Sequence, residues 1–335
     1  MSSKVRLKDI SERLGVSIVT VSNALSGKKG VSPAVRKRIV QTAREMGFDF
    51  AKYKDRSVPG KSISVLMPAE CVNAGTSFYW ELYQKAAREI SKNEGFTILE
   101  LVRREDEEQS RIPSGVLENE NDAVLLIGGF GKQYMKLLRE KIHVPMVLLD
   151  CIDPEIHTDA VLSDNYNGMY RMTKYLMEAG HRDIGFVGSR SSGPVIDDRY
   201  FGYRKAHIME GIEIRKDWIL EDRDPHTGER RIRLPEQLPT AFVCSSDYCA
   251  TVLWRELTQR GLRIPEDISV VGYNDLKDDH PLLKTLTTYH VDTDRMSIEA
   301  VRMLMGRILN ESEEMEIRQI DGRIIERASV KNLRK

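Results

Sequence analysis

Beyond residue 61 the sequence alternates repeatedly between short apolar runs and longer stretches with helical periodicity. "SISVLMP" leads into a helix from about Phe78 to Asn93, and "FTILELV" follows. "DAVLLIG", a helix from about Lys132 and "VPMVLLD" complete a first series. A second series runs "YNGMYRMTKYLMEAG", "IGFVG", "DDRYFGYRKAHIMEG", "TAFVCSS", "DYCATVLWRELTQRG" and "ISVVGYN". Short strands separated by helices make βαβ units, whose strands must lie parallel because each crossover returns the chain to its starting edge. The right-handedness of such crossovers then gives doubly wound layers. Two series of similar length predict two similar α/β lobes.

The remaining N-terminal segment has a different character. Residues 1–61 hold fourteen Lys and Arg against five Asp and Glu, a net of +9, and the other 37 basic and 46 acidic residues leave −9. A compact basic head on an acidic body is the footprint of a polyanion-binding module joined to another unit. No apolar stretch approaches the roughly 20 residues of a membrane span. "MSSKVR" also lacks the apolar core of a secretion signal. The four cysteines, Cys71, Cys151, Cys244 and Cys249, form no metal-ligand spacing and read as small buried side chains of a reducing cytoplasm. No metal and no cofactor is expected.

The head is patterned as three helices. Leu7, Ile10 and Leu14 share a face, with Gly15 as the stop; Ser17 is placed to cap a second helix carrying Val21, Ala24 and Leu25. Ser32 caps a third helix with Pro33 in its first position, running through Val35, Ile39, Ala43 and Met46. Two short helices joined by a tight turn make a helix-turn-helix, whose second helix enters the major groove N-terminus first. Ile18, Val19, Thr20, Ser22 and Asn23 lie opposite Val21 and Leu25 and are the candidates for base contact. Asn23 suits a bidentate adenine contact, and Ile18 or Val19 a thymine methyl. Lys28, Lys29, Arg36 and Lys37 are placed to sit near phosphates, which supply affinity without sequence information, and the capping residues Ser17 and Ser32 are counted with the DNA-binding set.

"VRLKDISERLGVSIVTVSNALSGKKGVSPAVRKRIVQTAREMGF" resembles the DNA-binding head of the LacI/GalR family of bacterial transcription regulators. "AGHRDIGFVG", "DDRYFGY", "ISVVGYND", "LTTYHVD" and "ERAS" are similar to later family landmarks, in order. The resemblance implies a cytoplasmic homodimer, nucleoid-associated when on DNA, that represses from a palindromic double-stranded operator. It also implies a core like the type I periplasmic binding proteins, with a small effector between its lobes, a sugar or sugar derivative. The organisation expected is a small all-α helix-turn-helix domain over 1–48, a hinge over 49–61 and a two-lobed α/β core over 62–330. Lobe one would take about 62–164 and 293–320, lobe two about 165–292 and 321–330. Family hinges wedge a leucine into the minor groove. "AKYKDRSVPG" has none, so either the operator is bent less or Val58, just before Pro59, or Tyr53 is the wedge, with Val58 the nearest apolar candidate.

In open α/β sheets, ligands lie beyond the carboxyl ends of the strands. Asp150, Ser246 and Asn274 stand there, Phe78, Tyr79 and Trp80 offer an aromatic face, with Phe78 taken as the contact, and Arg199 resembles the family arginine that clamps effector oxygens. Asp164 and Asp247 are read mainly as helix caps. Enzymatic readings are weaker. "GGFGKQ" lacks phosphate-loop spacing, no Gly-x-Ser-x-Gly exists, and a glycosidase pair from Asp197, Asp198 and Asp275 would leave the basic head unexplained. A sugar-binding transport receptor would share the core but not the head. A non-enzymatic, ligand-responsive transcription regulator is the expectation.

Overall fold

The computed structural model describes residues 5–25, 31–46, 48, 60–72, 78–118, 121–153, 155–189, 193–224, 229–309 and 314–334. The chain forms two compact units, residues 1–61 and 62–335.

The first unit holds helices α1 (Leu7–Leu14), α2 (Ile18–Leu25) and α3 (Pro33–Glu45). Its core is Ile10, Val21, Ala24, Leu25, Ile39, Ala43 and Phe48, with Leu7 and Leu14 packed against it. Gly15 stops α1 because it adopts φ +65°, a left-handed conformation that costs glycine nothing. Ser17 then starts α2: its Oγ accepts the Thr20 N–H at 3.0 Å.

The second unit opens with β1 (Lys61–Pro68), α4 (Phe78–Lys92), β2 (Gly95–Val102), α5 (Arg104–Glu108), α6 (Ser114–Glu118), β3 (Ala123–Ile127), α7 (Lys132–Lys141), β4 (Met146–Leu149) and β5 (Asp159–Ser163). It continues through α8 (Asn165–Glu178), β6 (Ile184–Val187), α9 (Pro194–Glu210), β7 (Ile219–Leu220), β8 (Ala241–Cys244), α10 (Asp247–Gln259), β9 (Ser269–Asn274), α11 (Pro281–Thr285) and β10 (Thr287–His290). Helix α12 (Thr293–Ile308) and strands β11 (Ile317–Ile320) and β12 (Arg323–Ile325) close the chain.

Two six-stranded sheets result, ordered β11-β5-β4-β3-β1-β2 and β12-β10-β9-β8-β6-β7. Neighbours run parallel, as Val65 opposite Leu125 and Phe242 opposite Val270 illustrate, except that β12 runs antiparallel to β10. The inner strands are buried along their whole length, so they read as continuous apolar runs rather than alternating ones. The chain passes between the sheets three times: after β5, after β10 and after β11. At these crossings Tyr273 Oη donates to the Asp164 carbonyl at 3.1 Å, and Tyr289 Oη donates to Asp321 Oδ1 at 2.9 Å. Arg171 pairs with the same Asp321. Helices α8 and α9 cross in close contact at Gly202, where a Cβ would lie 2.1 Å from the Tyr166 carbonyl oxygen.

Candidate functional site

In the head, the exposed edge of α2 carries Ile18 and Val19, 46% and 67% exposed, with Thr20, Ser22 and Asn23 half-buried beside them. Exposed branched apolar side chains at a helix N-terminus, kept in place by buried Val21, Ala24 and Leu25, form a surface able to meet thymine methyls. Ser17 is committed to capping, its Oγ also 2.8 Å from Thr20 Oγ1. Ser32 is exposed and accepts the Val35 N–H at 3.4 Å. Arg36, expected near a phosphate, is engaged within the head. Its Nη1 donates to the Ala24 and Asn23 carbonyls at 2.8 and 3.3 Å, closing the C-terminus of α2 where a cation is favoured. Lys28, Lys29 and Val58 lie outside the described residues.

In the second unit, the carboxyl ends of both sheets supply a cleft. Asp150 follows β4 in the first lobe with φ +55°, and only 2% of it is exposed. Asn274 and Asp275 end β9 in the second lobe with φ +113° and +59°. Non-glycine residues held at positive φ carry strain, which structures retain where a site over-determines it. Among the described residues, the buried side-chain atoms without a hydrogen-bond partner are Ser64 Oγ, Asp150 Oδ1 and Asn274 Oδ1. Two of the three are acceptors at strand ends facing this cleft. Burial pushes the Asp150 carboxyl up to about 6, against the opposing charge of Arg199 and a hydrogen bond from Tyr79.

Arg199 is 2% exposed and heavily engaged. Its Nε donates to Asn165 Oδ1 at 2.8 Å, its Nη1 to the Ser245 carbonyl at 2.6 Å, and its guanidinium stacks 3.9 Å above the Tyr273 ring. It is therefore a rigidly held positive charge opposite Asp150, with Nη2 left for another acceptor. Asp275 is tied down as firmly. It accepts from Arg327 at 2.6 Å and Lys277 at 2.7 Å, and His290 Nδ1 lies 3.0 Å away. That anchoring fixes the backbone that presents Asn274.

Two expectations need correction. Phe78 is not a cleft aromatic: with Leu82, Ala86 and Ile90 it forms the buried stripe of α4, four residues apart, and it meets Tyr79 edge-on at 5.5 Å. The ring beside Asp150 belongs to Tyr79. Asp247 does not cap α10. Ser246 does, accepting the Cys249 N–H at 3.1 Å. Asp247 is instead buried, accepting the Leu276 N–H at 2.7 Å and the Thr288 hydroxyl at 2.5 Å, which locks the loop after β9. Asp164 does cap α8, through the Asn167 N–H. Sequence reasoning also passed over Asp222, Arg223, Arg230 and Tyr248. These cluster at the carboxyl edge of β6 and β7, where Asp222 Oδ1 accepts the Ser189 N–H at 3.0 Å.

Comparison with known proteins agrees with this anatomy. Residues 6–49 match the family described as bacterial regulatory proteins, lacI family, and residues 173–330 match the periplasmic binding protein-like domain. The HTH-type transcriptional repressor PurR of Pasteurella multocida is 26% identical over 335 residues, spanning 97% of this chain and 98% of that protein. Two solved structures share the fold: the transcriptional regulator CelR–cellobiose complex and the Lac repressor dimer bound to operator and the anti-inducer ONPF. The first has a TM-score of 0.67 at 21% identity, covering 97% of this chain and 100% of that one. The second has a TM-score of 0.67 at 19% identity, covering 98% and 100%. A helix-turn-helix head followed by two parallel-sheet lobes with a polar cleft defines a DNA-binding transcription regulator with an effector-binding core, not an enzyme. The chain thus carries a lacI-family helix-turn-helix head on a periplasmic binding protein-like domain. Among the described residues no helix is long and apolar enough to cross a membrane.

Proposed function

We propose that this regulator is a cytoplasmic, homodimeric repressor whose grip on a palindromic operator is set by a hydroxyl-rich effector, a sugar or sugar derivative, held between the lobes. Asp150 Oδ1 and Asn274 Oδ1 carry the reading. They are buried acceptors from opposite lobes, both unpartnered, both on backbone at positive φ. A buried acceptor left unmade costs about 1–3 kcal/mol, which a ligand hydroxyl bridging the pair recovers. Tyr79 flanks Asp150, and Arg199 Nη2 offers a donor. Closure around such a ligand shifts the population of lobe arrangements, and occupancy of DNA follows through the ligand's differential affinity for them. In the head, Ile18, Val19 and Asn23 read bases, while Lys28 and Lys29 hold phosphates and Val58 serves as the wedge.

A thermal-shift screen of neutral sugars on the full-length protein tests the cleft. A ligand at 100 times its dissociation constant adds about 2.7 kcal/mol. Asn274→Ala should abolish the shift while leaving operator binding by the head intact. A ligand that stabilises the Asn274→Ala variant as well as the parent would place the effector elsewhere.

A further inference from the structure

The connection from β7 to β8, residues 221–240, contains no helix or strand among its described residues, although a parallel crossover ordinarily uses a helix. Long irregular connections in compact domains are uncommon and tend to be binding loops. This one carries four arginines: Arg223, Arg230, Arg231 and Arg233. Two of them converge on one buried carboxylate. Arg223 Nε lies 3.4 Å from Asp222 Oδ1, and Arg230 Nη1 donates to Asp222 Oδ2 at 2.7 Å. The Asp222 N–H donates to Ser189 Oγ at 3.2 Å, so the carboxylate is fixed to the end of β6.

One negative charge thus faces two positive ones. Burial alone would raise the Asp222 carboxyl, yet Arg223, the Ser189 N–H and Arg230 together hold it below the usual carboxylate range. Arg230 also lies 4.6 Å above the ring of Tyr248, itself 42% exposed. The remaining guanidinium N–H groups of both arginines have no acceptor among the described residues. Both side chains keep about a third of their surface exposed, 33% and 39%. They stand at the carboxyl edge of the second sheet, where Asp222 follows β7, Ser189 follows β6 and the unpartnered Asn274 ends β9, while the unpartnered Asp150 follows β4 at the carboxyl edge of the first sheet. Burial and Glu70 push the Cys71 thiol, just after β1, up to about 12, with Arg230, Asp150 and Arg223 as smaller charge effects on it.

We infer that Arg223 and Arg230 form an anion subsite of the cleft, and that the effector carries a phosphate or carboxylate beside its hydroxyls. The inference rests on the cleft reading above and adds the charge. Guanidinium forks suit both oxyanions because two parallel N–H donors match two oxygens. A single arginine would suffice to neutralise Asp222. The second leaves guanidinium donors that Asp222 does not use, flanked by an aromatic face, in a loop that also carries Glu221, Asp224, Glu229 and Glu236.

Full-length protein should be followed by thermal shift in sodium phosphate and in sodium chloride matched for ionic strength. The wild type should show a saturable stabilisation by phosphate beyond that of chloride. It should be at least tenfold weaker in Arg223→Gln/Arg230→Gln and unchanged in Arg139→Gln, a surface control in the other lobe. Because the double variant strips Asp222 of both partners, Arg223→Lys/Arg230→Lys provides a second measure. It keeps the charges and should lose several-fold in affinity as the forks disappear. Glucose 6-phosphate and gluconate, each compared with glucose, distinguish a phosphate from a carboxylate source. No phosphate effect beyond chloride overturns the subsite, as does a phosphate effect that survives in both double variants. If neutral sugars alone stabilise the wild type and lose that effect in Asn274→Ala, the cleft reading stands and only the anion subsite falls.

Discussion

Asp150→Asn keeps the size of the side chain and its acceptor toward Tyr79 while removing ionisation. Burial places the Asp150 carboxyl at about 6, against an ordinary 3.8. At about 1.4 kcal/mol per tenfold change, that gap corresponds to about 3 kcal/mol. The sign follows from linkage. Below about pH 3 the carboxyl is neutral in both folded and unfolded chains, and the full stability is present. As pH rises the unfolded chain ionises first, and the folded state loses stability until its own carboxyl ionises near pH 6. The asparagine variant escapes this loss. In urea unfolding of the ligand-free full-length protein, its stability relative to wild type should rise by about 3 kcal/mol between pH 3 and pH 7. Any misfit of the amide adds an offset that does not vary with pH, so the slope is the readout. A stability difference flat across that range would refute the argument, because it would mean the Asp150 carboxyl is not held away from water.

Three other outcomes are expected. Asn23→Ala should relax base preference at one position per half-site, costing about 1–3 kcal/mol there; equal weakening on all sequences, measured by gel shift, would mean that Asn23 touches only backbone. Arg36→Ala should destabilise the head by about 1 kcal/mol through loss of the α2 C-terminal bonds. It should leave the salt dependence of DNA binding unchanged, whereas a drop of about 0.9 in the log–log slope would return Arg36 to a phosphate. Asp247→Ala strands the Leu276 N–H and the Thr288 hydroxyl, so the urea midpoint should fall by the equivalent of about 2 kcal/mol. An unchanged midpoint would show that the loop after β9 holds without it.

The head was legible almost residue by residue, because short helices announce themselves through caps. Ser17, Gly15 and the Leu7–Ile10–Leu14 face mark boundaries by local chemistry alone. The lobes were legible from their long buried strands. The two-residue β7 and the late strands β11 and β12 were not, since a few residues carry no period. Asp150 and Asn274 could be located because a strand's carboxyl end is visible in the sequence. The choice of Phe78 over Tyr79 among the three aromatics could have been avoided: Phe78 shares the four-residue spacing of Leu82, Ala86 and Ile90, which puts Tyr79 off the buried stripe. Arg223 and Arg230 had no such signal. Their convergence on Asp222 depends on the path of an irregular loop, which periodicity does not encode, and the closing of α2 by Arg36 depends on contacts thirteen residues away.

The three passages of the chain between the sheets have a mechanical consequence. Tethers side by side resist sliding and shear, yet each bends at a few backbone torsions, so the lobes retain essentially one freedom, rotation about the line the tethers define. A jaw with a single hinge loses little entropy when it shuts. A ligand that touches both sides then spends almost none of its contact energy on selecting among orientations. The tyrosine and arginine bonds to Asp321 sit on that line, where rotation moves atoms least, so they persist through opening and closing and keep the axis in place.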